Sequence, residues 1–483
     1  MNLKIIIKLL SILSIIICIS LLIPAFMALW LNEAASLKAF FMTISITTVI
    51  SAVCYKLTAR CNVENLKPRD SFIFVTLSWV IASAIGAMPY YFSNSVPSFT
   101  DAYFETMSGF TTTGASILTS PEALSFSMQF WRGLTHWLGG MGIVVLAVAI
   151  LPFLGIGGMQ LLEAEAPGPT VDKITPRIAE TAKILWLIYI GLTVLQTIFL
   201  LFGGMSLYDS LFHTFATVAT GGFSCKNLSV GHYNSAYIDY VITIFTFFAA
   251  VNFTLHYKII TGKFRSVFYD VELRTFLLIV LTATAIISFN TYGPIYNSVS
   301  DCVRYASFQV VTIISTTGFS TADYEKWPQV SQNVIFFLMF IGGCAGSTSG
   351  GIKVIRLVTL LKQAMIEMKS LIHPRGVFAL KVGENVVKAP IANAVSGFFF
   401  LYIAAVLIIT FIVSTNNNDI LTSITATLAT LGNIGPGLGL VGPTDNYSFL
   451  APYVKWTLSF AMLIGRLELY TVLVLFTPYF WKR

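Results

Sequence analysis

The sequence repeats itself in four short segments, FTTTGAS (110–116), ATGGFS (219–224), STTGFS (315–320) and TLGNIGPG (430–437). They align on the single glycines Gly114, Gly222, Gly318 and Gly435. Ten residues before the glycine stands Phe in the first three segments and Thr in the fourth, and twelve residues before it stands Ala or Ser in all four. Such agreement across spacings of 108, 96 and 117 residues indicates four copies of one structural unit.

The sequence around these segments is strongly apolar. Of the 483 residues, 56% are hydrophobic and 11% are charged, whereas a soluble domain carries about 25% charged residues. The lipid bilayer is therefore the expected solvent. At about 20 residues per membrane-spanning helix, the candidate spans are 9–30, 39–57, 71–92, 128–151, 184–201, 237–257, 276–289, 334–344, 391–413 and 453–475. The first exceeds the apolar core of a signal peptide, about 7–15 residues, so it is expected to be a retained span.

The order of these elements predicts an all-α membrane protein. Two N-terminal helices (1–70) are followed by four helix, pore-helix, filter, helix repeats around a pseudo-four-fold pore, with expected bounds 71–158, 159–262, 263–372 and 373–483. Of the 29 Lys and Arg residues, 22 lie on alternate connecting segments or at the termini. This bias predicts that both termini are cytoplasmic. It also explains the net charge of +7 without a nucleic-acid partner.

The four glycine segments have the composition that a cation filter requires. A potassium ion that sheds its water needs oxygen ligands, and backbone carbonyls from four loops supply them without burying a fixed charge. Turning carbonyls toward one axis requires backbone conformations that glycine adopts readily. One TTG tripeptide alone would indicate only a loop, but four in register favour a pore. The predicted filter residues, which bind K⁺ through their carbonyls, are Thr112, Thr113, Gly114, Thr220, Gly221, Gly222, Thr316, Thr317, Gly318, Asn433, Ile434 and Gly435.

The residues flanking the four glycines differ, which predicts less than four-fold symmetry. Ala115, Phe223, Phe319 and Pro436 follow the glycines in turn. Fewer equivalent carbonyl rings should weaken the discrimination of potassium from sodium. Asp101, Asp209 and Asp301 lie near the expected starts of pore helices, where helix capping explains them as well as ion attraction does.

A glycine- and serine-rich run, GGCAGSTSGG (342–351), interrupts the apolar span of the third repeat. It cannot hold a straight helix, so it predicts an intramembrane loop that obstructs the pore, the alternative being a simple kink. Arg466 lies within an apolar span, where an arginine is costly and indicates function. It is expected to face the cavity below the filter, the alternative being a pair with Glu468. The predicted gate residues are Gly342, Gly343, Gly346, Ser347, Thr348, Ser349, Gly350, Gly351 and Arg466.

Several long motifs resemble one family of membrane proteins. They are HWLGGMGIVV (136–145), the stretch containing PGP, DKITPRI and TAKILW (164–186), GGCAGSTSGGIK (342–353) and GRLELYTVL (465–473). With the four filters, they make nearly the whole chain similar to the TrkH family, the membrane subunits of bacterial Trk potassium uptake systems in the superfamily of K⁺ transporters. The resemblance implies a filter role for the four glycines and a mobile gating loop. It also implies a cytosolic TrkA-type ring with nucleotide-binding domains, a homodimer and the bacterial inner membrane.

The predicted function is gated uptake of potassium, the transported ion, driven by the membrane potential. Moving one positive charge inward across 100 mV is worth about 2.3 kcal/mol. The alternative is a secondary transporter that couples K⁺ to H⁺ or Na⁺. An enzyme is not expected, because the sequence offers no convincing nucleophile, metal cluster or acid/base pair. No organic cofactor is expected on this chain either: GSTSGGIK (346–353) fails the spacing of a nucleotide-binding loop, so any nucleotide control is expected from a separate protein. The basic segment 353–388 is either a docking surface for the regulatory ring or an anchor for lipid headgroups.

Overall fold

The computed structural model describes residues 2–61, 67–142, 178–383 and 385–482. Within these ranges the secondary-structure elements are helices, apart from a two-strand hairpin of β1 (Lys381–Val382) and β2 (Asn385–Val386). The end of the predicted span 128–151 and the PGP and DKITPRI motifs lie outside the described residues. The predicted all-α class is confirmed.

The first two helices form an antiparallel pair beside the first repeat. Helix α1 (Leu3–Trp30) and helix α2 (Ala34–Leu57) pack against each other, and α1 also contacts the following repeat. The carboxylate of Glu33, in the turn between them, accepts hydrogen bonds from the backbone N–H groups of Phe126 (2.9 Å) and Ser127 (3.2 Å). It thereby caps the helix that begins at Phe126, since the first N–H groups of a helix need acceptors.

Each repeat opens with a long apolar helix. These helices are α3 (Pro68–Phe92), α6 (Ile178–Phe202), α11 (Val271–Thr291) and α15 (Ala389–Ser414). With α1 and α2, they make six helices among the described residues that are long and apolar enough to cross a membrane. Their many exposed apolar side chains, such as Phe289 and Phe400, suit contact with lipid.

A shorter helix follows in each repeat, at the position predicted for a pore helix. The four are α4 (Phe99–Phe110), α7 (Leu207–Val218), α12 (Val299–Ile314) and α16 (Ile420–Leu431). Side-chain oxygens cap three of them: Ser98 accepts from the N–H of Asp101, Ser206 from that of Asp209, and Asp419 from that of Thr422. Hydroxyls of neighbouring serines thus cap α4 and α7, so Asp101 and Asp209 stand in the first turn, where a negative charge suits the helix dipole.

The returning helix of every repeat ends or breaks before it would complete a span. Helix α5 (Phe126–Gly140) is described only as far as Gly142. Helices α8 (Ala236–Ala249) and α9 (Phe253–Ile260) meet at 99°. Helix α17 (Pro452–Arg466) meets the segment of α18 (Tyr470–Leu473) and the 3₁₀ turn Val474–Phe476 at 112°.

These breaks correct two sequence predictions. The stretches 237–257 and 453–475 were expected to be continuous spans, but each is a bent pair. Asn252 causes the first restart because its side chain accepts from the N–H of Thr254 (2.8 Å) and caps α9. At the second break, Glu468 and Leu469 have positive φ, which ends a right-handed helix.

The third returning helix breaks where the glycine run predicts. Helix α13 (Gln329–Leu338) ends, and α14 (Val354–Ile372) begins only after the intramembrane loop, which we define as residues 339–353. The remaining helices are α10 (Phe264–Phe268), α19 (Pro478–Trp481) and the 3₁₀ turns Pro121–Ala123, Ser229–Tyr233, Tyr324–Lys326 and Gly439–Val441.

Candidate pore and gate

The four pore helices end in the same way. In the first, the N–H of Thr112 donates to the carbonyl of Gly109 (3.1 Å) and that of Thr113 to the carbonyl of Ser108 (2.9 Å). This pair of bonds is the Schellman motif, which closes a helix through a left-handed residue. The other three repeats have the same two N–H to carbonyl bonds. In the second they are Thr220 to Thr217 and Gly221 to Ala216, in the third Thr316 to Ile313 and Thr317 to Thr312, and in the fourth Asn433 to Thr430 and Ile434 to Ala429.

The backbone beyond each helix also follows one pattern. The residue two before the aligned glycine has a positive φ in every repeat: 52° at Thr112, 54° at Thr220, 58° at Thr316 and 54° at Asn433. The aligned glycines have φ of 81°, 78°, 83° and 99° in the same order. A left-handed Thr costs free energy that the surroundings must offset. Along each loop, left-handed and right-handed backbone conformations alternate. This alternation lets successive carbonyls face the same side, as a carbonyl-lined path requires.

The four loops close into a ring. A Cβ atom added to Gly114 would lie 2.3 Å from the carbonyl oxygen of Gly221, one added to Gly222 would lie 1.9 Å from that of Thr317, and one added to Gly318 would lie 1.9 Å from that of Ile434. The circle closes because a Cβ at Gly435 would lie 2.7 Å from the oxygen of Thr113. Each glycine therefore abuts the carbonyl just before the glycine of the next repeat, in chain order. The ring brings together all twelve predicted filter residues.

Cavities lie on both sides of the ring. A small one of about 90 Å³ is lined by the four aligned glycines, Ala115, Phe223 and Pro436 among others, and we call this side the mouth side. A large one of about 1350 Å³ is lined by residues of the intramembrane loop, including Thr348 and Gly350, and by Arg466. We call this the loop side.

The intramembrane loop lies between the ring and the large cavity. The N–H of Gly350 donates to the Thr316 hydroxyl (2.7 Å), directly below the filter glycine of the third repeat. The Thr348 hydroxyl lies 3.1 Å from the carbonyls of both Val218 and Ala249, at the ends of α7 and α8. The N–H of Cys344 donates to the carbonyl of Ala250 (2.9 Å). The loop is thus bonded across the underside of the second and third repeats.

Arg466 joins the ring, the loop and the first repeat. Its Nη1 donates to the Thr112 hydroxyl (2.9 Å) and to the carbonyl of Thr348 (2.7 Å). Its Nη2 donates to the carbonyls of Gly139 (2.7 Å) and Gly140 (2.9 Å). The structure therefore places Arg466 on the loop side of the ring, where it lines the large cavity. Glu468, the alternative partner, forms an ion pair with Arg356.

The comparisons with known proteins agree with this geometry. The family model TrkH, described as a cation transport protein, matches residues 36–483. The chain belongs to the TrkH family. The Trk system potassium uptake proteins TrkH of Salmonella typhimurium and Escherichia coli are 41% and 40% identical to it, over all of both chains in each case. The crystal structure of the potassium transporter TrkH from Vibrio parahaemolyticus superposes with a TM-score of 0.89 at 37% identity and full coverage of both chains.

Sequence reasoning missed three side chains that hold this TrkH-family site together. One oxygen of the Glu272 carboxylate accepts from the N–H groups of Ala345 (2.8 Å) and Ile355 (3.0 Å), one within the loop and one just after it. The buried Lys353 ammonium donates to the carbonyl of Ser349. Glu105 lies inside α4 and pairs with Arg132. Glu105 could have been singled out from the sequence, because it is an acid in the middle of an expected pore helix. Glu272 could not, because an acid in the first turn of a helix is common.

Proposed function

We propose that this chain is the membrane subunit of a potassium uptake system and conducts K⁺ through the ring of four loops. The proposal rests on the closed ring of glycines and carbonyls. Carbonyl oxygens of the twelve predicted filter residues would replace the water of the ion. The C-terminal ends of α4, α7, α12 and α16 carry partial negative charge and meet at the ring, which favours a cation there.

We assign the gate to the intramembrane loop and Arg466. The nine predicted gate residues include the donors and acceptors that fix the loop under the ring, and the Arg466 guanidinium adds a positive charge next to the path. A cation there raises the free energy of a passing cation. Opening then requires the loop to leave Thr316 and the Arg466 guanidinium to leave Thr112 or Thr348. The five glycines of the loop permit such a change of backbone conformation.

We place the protein in the bacterial inner membrane with both termini in the cytoplasm. The mouth side then faces outward and the loop side faces the cytoplasm, consistent with the distribution of Lys and Arg. The names of the relatives denote a system, which supports a partner, and we propose the TrkA-type ring bound at the basic segment 353–388. A homodimer and contact with lipid complete the expected assembly.

The test is potassium flux into proteoliposomes under an imposed membrane potential, comparing the parent chain with Gly318→Ser. The new Cβ would collide with the carbonyl of Ile434, so flux should fall or become sodium-permeable. Gly204→Ser is the matched control because Gly204 has a similar φ of 85° but nothing within 4 Å of a Cβ. Equal flux in the parent and in Gly318→Ser would contradict the filter assignment.

The same preparation distinguishes a pore from a coupled transporter. A pore whose gate is open passes potassium under the membrane potential with no other gradient, since the potential alone supplies the driving force. Flux that appears only with an opposing proton or sodium gradient would replace the pore with a K⁺/H⁺ or K⁺/Na⁺ coupled transporter.

A further inference from the structure

Glu105 is a buried acid behind the first filter loop. It lies nine residues before Gly114 within α4, with 1% of its surface exposed. Its carboxylate accepts from the Ser116 hydroxyl (3.0 and 3.1 Å), the Ile117 N–H (2.9 Å) and Arg132 Nε (2.6 Å). The chain just beyond Gly114 is therefore bonded to the pore helix that precedes it.

Arg132 extends this connection to the second loop. It lies on α5, is 3% exposed, and donates from Nη1 to the carbonyl of Ser224 (2.8 Å). Its guanidinium carbon lies 3.5 Å from the centroid of the Phe223 ring. Phe223 and Ser224 directly follow Gly222. One ion pair thus connects the mouth-side ends of two neighbouring filter loops.

A second side chain of α5, that of His136, also contacts Phe223. The N–H of Phe223 donates to His136 Nε2 (3.1 Å), and the His136 ring stacks on Phe223 at 4.1 Å. His136 Nδ1 lies 2.7 Å from the carbonyl of Gly109, near the end of α4. Because Nε2 accepts, Nδ1 carries the proton and donates to Gly109. Phe223 is consequently fixed from two positions on one helix.

The charged connection occurs at one of the four repeats. In the register of Glu105 the other repeats have His213, Gln309 and Ala426, and in the register of Arg132 they have Tyr240, Phe336 and Tyr453. At the register of Glu105 the second and third repeats form neutral bonds: His213 Nε2 lies 3.0 Å from Ser224 Oγ, and Gln309 Nε2 donates to the carbonyl of Ala322 (3.3 Å). Hydrogen bonds between ionised groups are roughly twice as strong as neutral ones. In these registers the stronger, charged connection is thus the one between the first two loops.

We infer that Glu105 and Arg132 are positioning residues for ion selectivity, given the proposed filter function. They act through Ser116, Ile117 and Ser224 and touch no ion themselves. Discrimination of potassium from sodium requires that the carbonyls do not close around the smaller ion. The pore helices fix the loop-side ends of the filter loops, and the Glu105–Arg132 pair fixes the mouth-side ends of two of them. This pair compensates in part for the unequal flanks of the four glycines.

The test is thermal unfolding of the purified full chain in detergent, titrated with KCl or NaCl at constant ionic strength. An ion that binds the folded state raises the melting temperature by an amount that grows with the logarithm of one plus its concentration divided by its dissociation constant, whether or not the gate is open. The variants are Glu105→Gln, Arg132→Gln and the double substitution. Arg304→Gln is the matched control, because Arg304 forms a buried pair with Asp239 (2.7 Å) fourteen residues before Gly318.

We expect the potassium preference, the ratio of the Na⁺ to the K⁺ dissociation constant fitted to these shifts, to fall by about tenfold in both single variants. The double variant should lose no more than either one, since the two residues act as a unit. Arg304→Gln should lower the melting temperature and keep the parental ratio. A parental ratio in Glu105→Gln and Arg132→Gln would overturn the inference, as would an equal loss of preference in Arg304→Gln. A parent without stabilisation by K⁺ would instead count against the filter itself.

Discussion

The filter half of the site, formed by the four filter loops, has nearly the same backbone in every repeat, whereas the loop-side half differs among the repeats whose breaks the structure describes. In the filter half, the left-handed residues before the glycines span only 52° to 58° in φ. On the loop side, α8 and α9 meet at 99°, α17 and α18 at 112°, and the third repeat inserts the intramembrane loop. An ion in the proposed filter would touch all four loops at once, which explains why the four share one backbone conformation. A gate needs only one obstruction.

The two halves also use different bonds. The filter loops are held by backbone contacts that repeat four times, and a glycine without a Cβ is what allows the close approach. The proposed gate is held by side chains that occur once, such as Glu272 and Arg466. Substitutions should therefore impair conduction in the filter half and release the proposed gate in the loop-side half.

The largest expected effect is a graded loss across the glycine series. Gly222→Ala and Gly318→Ala place a Cβ 1.9 Å from a backbone oxygen, Gly114→Ala 2.3 Å and Gly435→Ala 2.7 Å. The loss of potassium flux should follow that order. The left-handed backbone adds about 1–2 kcal/mol of strain at every position. Gly293→Ala is the control: Gly293 has a φ of 90° but nothing within 4 Å of a Cβ, so this variant introduces the backbone strain without a collision. Equal loss in all five variants would show that strain, and not the ring, decides the outcome.

The next effect is a gain of flux when the loop loses Glu272. Glu272→Ala removes the acceptor of two N–H groups, those of Ala345 and Ile355. Hydrogen bonds to a charged group contribute about 1.5–3 kcal/mol each, so losing about 3 kcal/mol would raise the open fraction by roughly a hundredfold. We expect potassium flux from the chain alone to rise accordingly in proteoliposomes.

The control for Glu272→Ala is Asp270→Ala. Asp270 caps α11 by accepting from the N–H of Leu273 (2.8 Å), and its loss should cost about 1 kcal/mol of helix stability. The helix start is then weakened while Glu272 keeps its bonds. If both variants raise the flux equally, the effect comes from the helix and not from the bonds to the loop.

The sequence predicts one half of the site much better than the other. The filter could be found because four aligned glycines repeat along the chain, and a repeat is visible without a structure. The loop was found because seven glycine or serine residues in ten cannot form a helix. The helix breaks near Asn252 and Glu468 could not be found from the sequence, because apolar residues flank both positions and the hydrophobic periodicity does not change there.

The sequence also did not predict contacts between single side chains that are far apart along the chain. Glu105 and Arg132 are 27 residues apart, and Glu272 reaches residues 73 and 83 positions later. Such pairings depend on how helices pack, and packing is not encoded in local propensity. Arg466 was the exception because an arginine inside an apolar span is costly enough to indicate a role by itself.

The smallest expected effect lies at the contact between the two halves. Thr316→Val removes the hydroxyl that accepts from the Gly350 N–H and keeps the β-branched shape. Losing one hydrogen bond of about 1 kcal/mol should raise the open fraction by roughly fivefold, measured as potassium flux without a regulatory partner. Thr220→Val is the matched control, since Thr220 has the same register and φ but donates to the carbonyl of Ala219. If Thr220→Val raises flux as much as Thr316→Val does, the hydroxyls act on the filter itself and the Gly350 contact does not hold the loop.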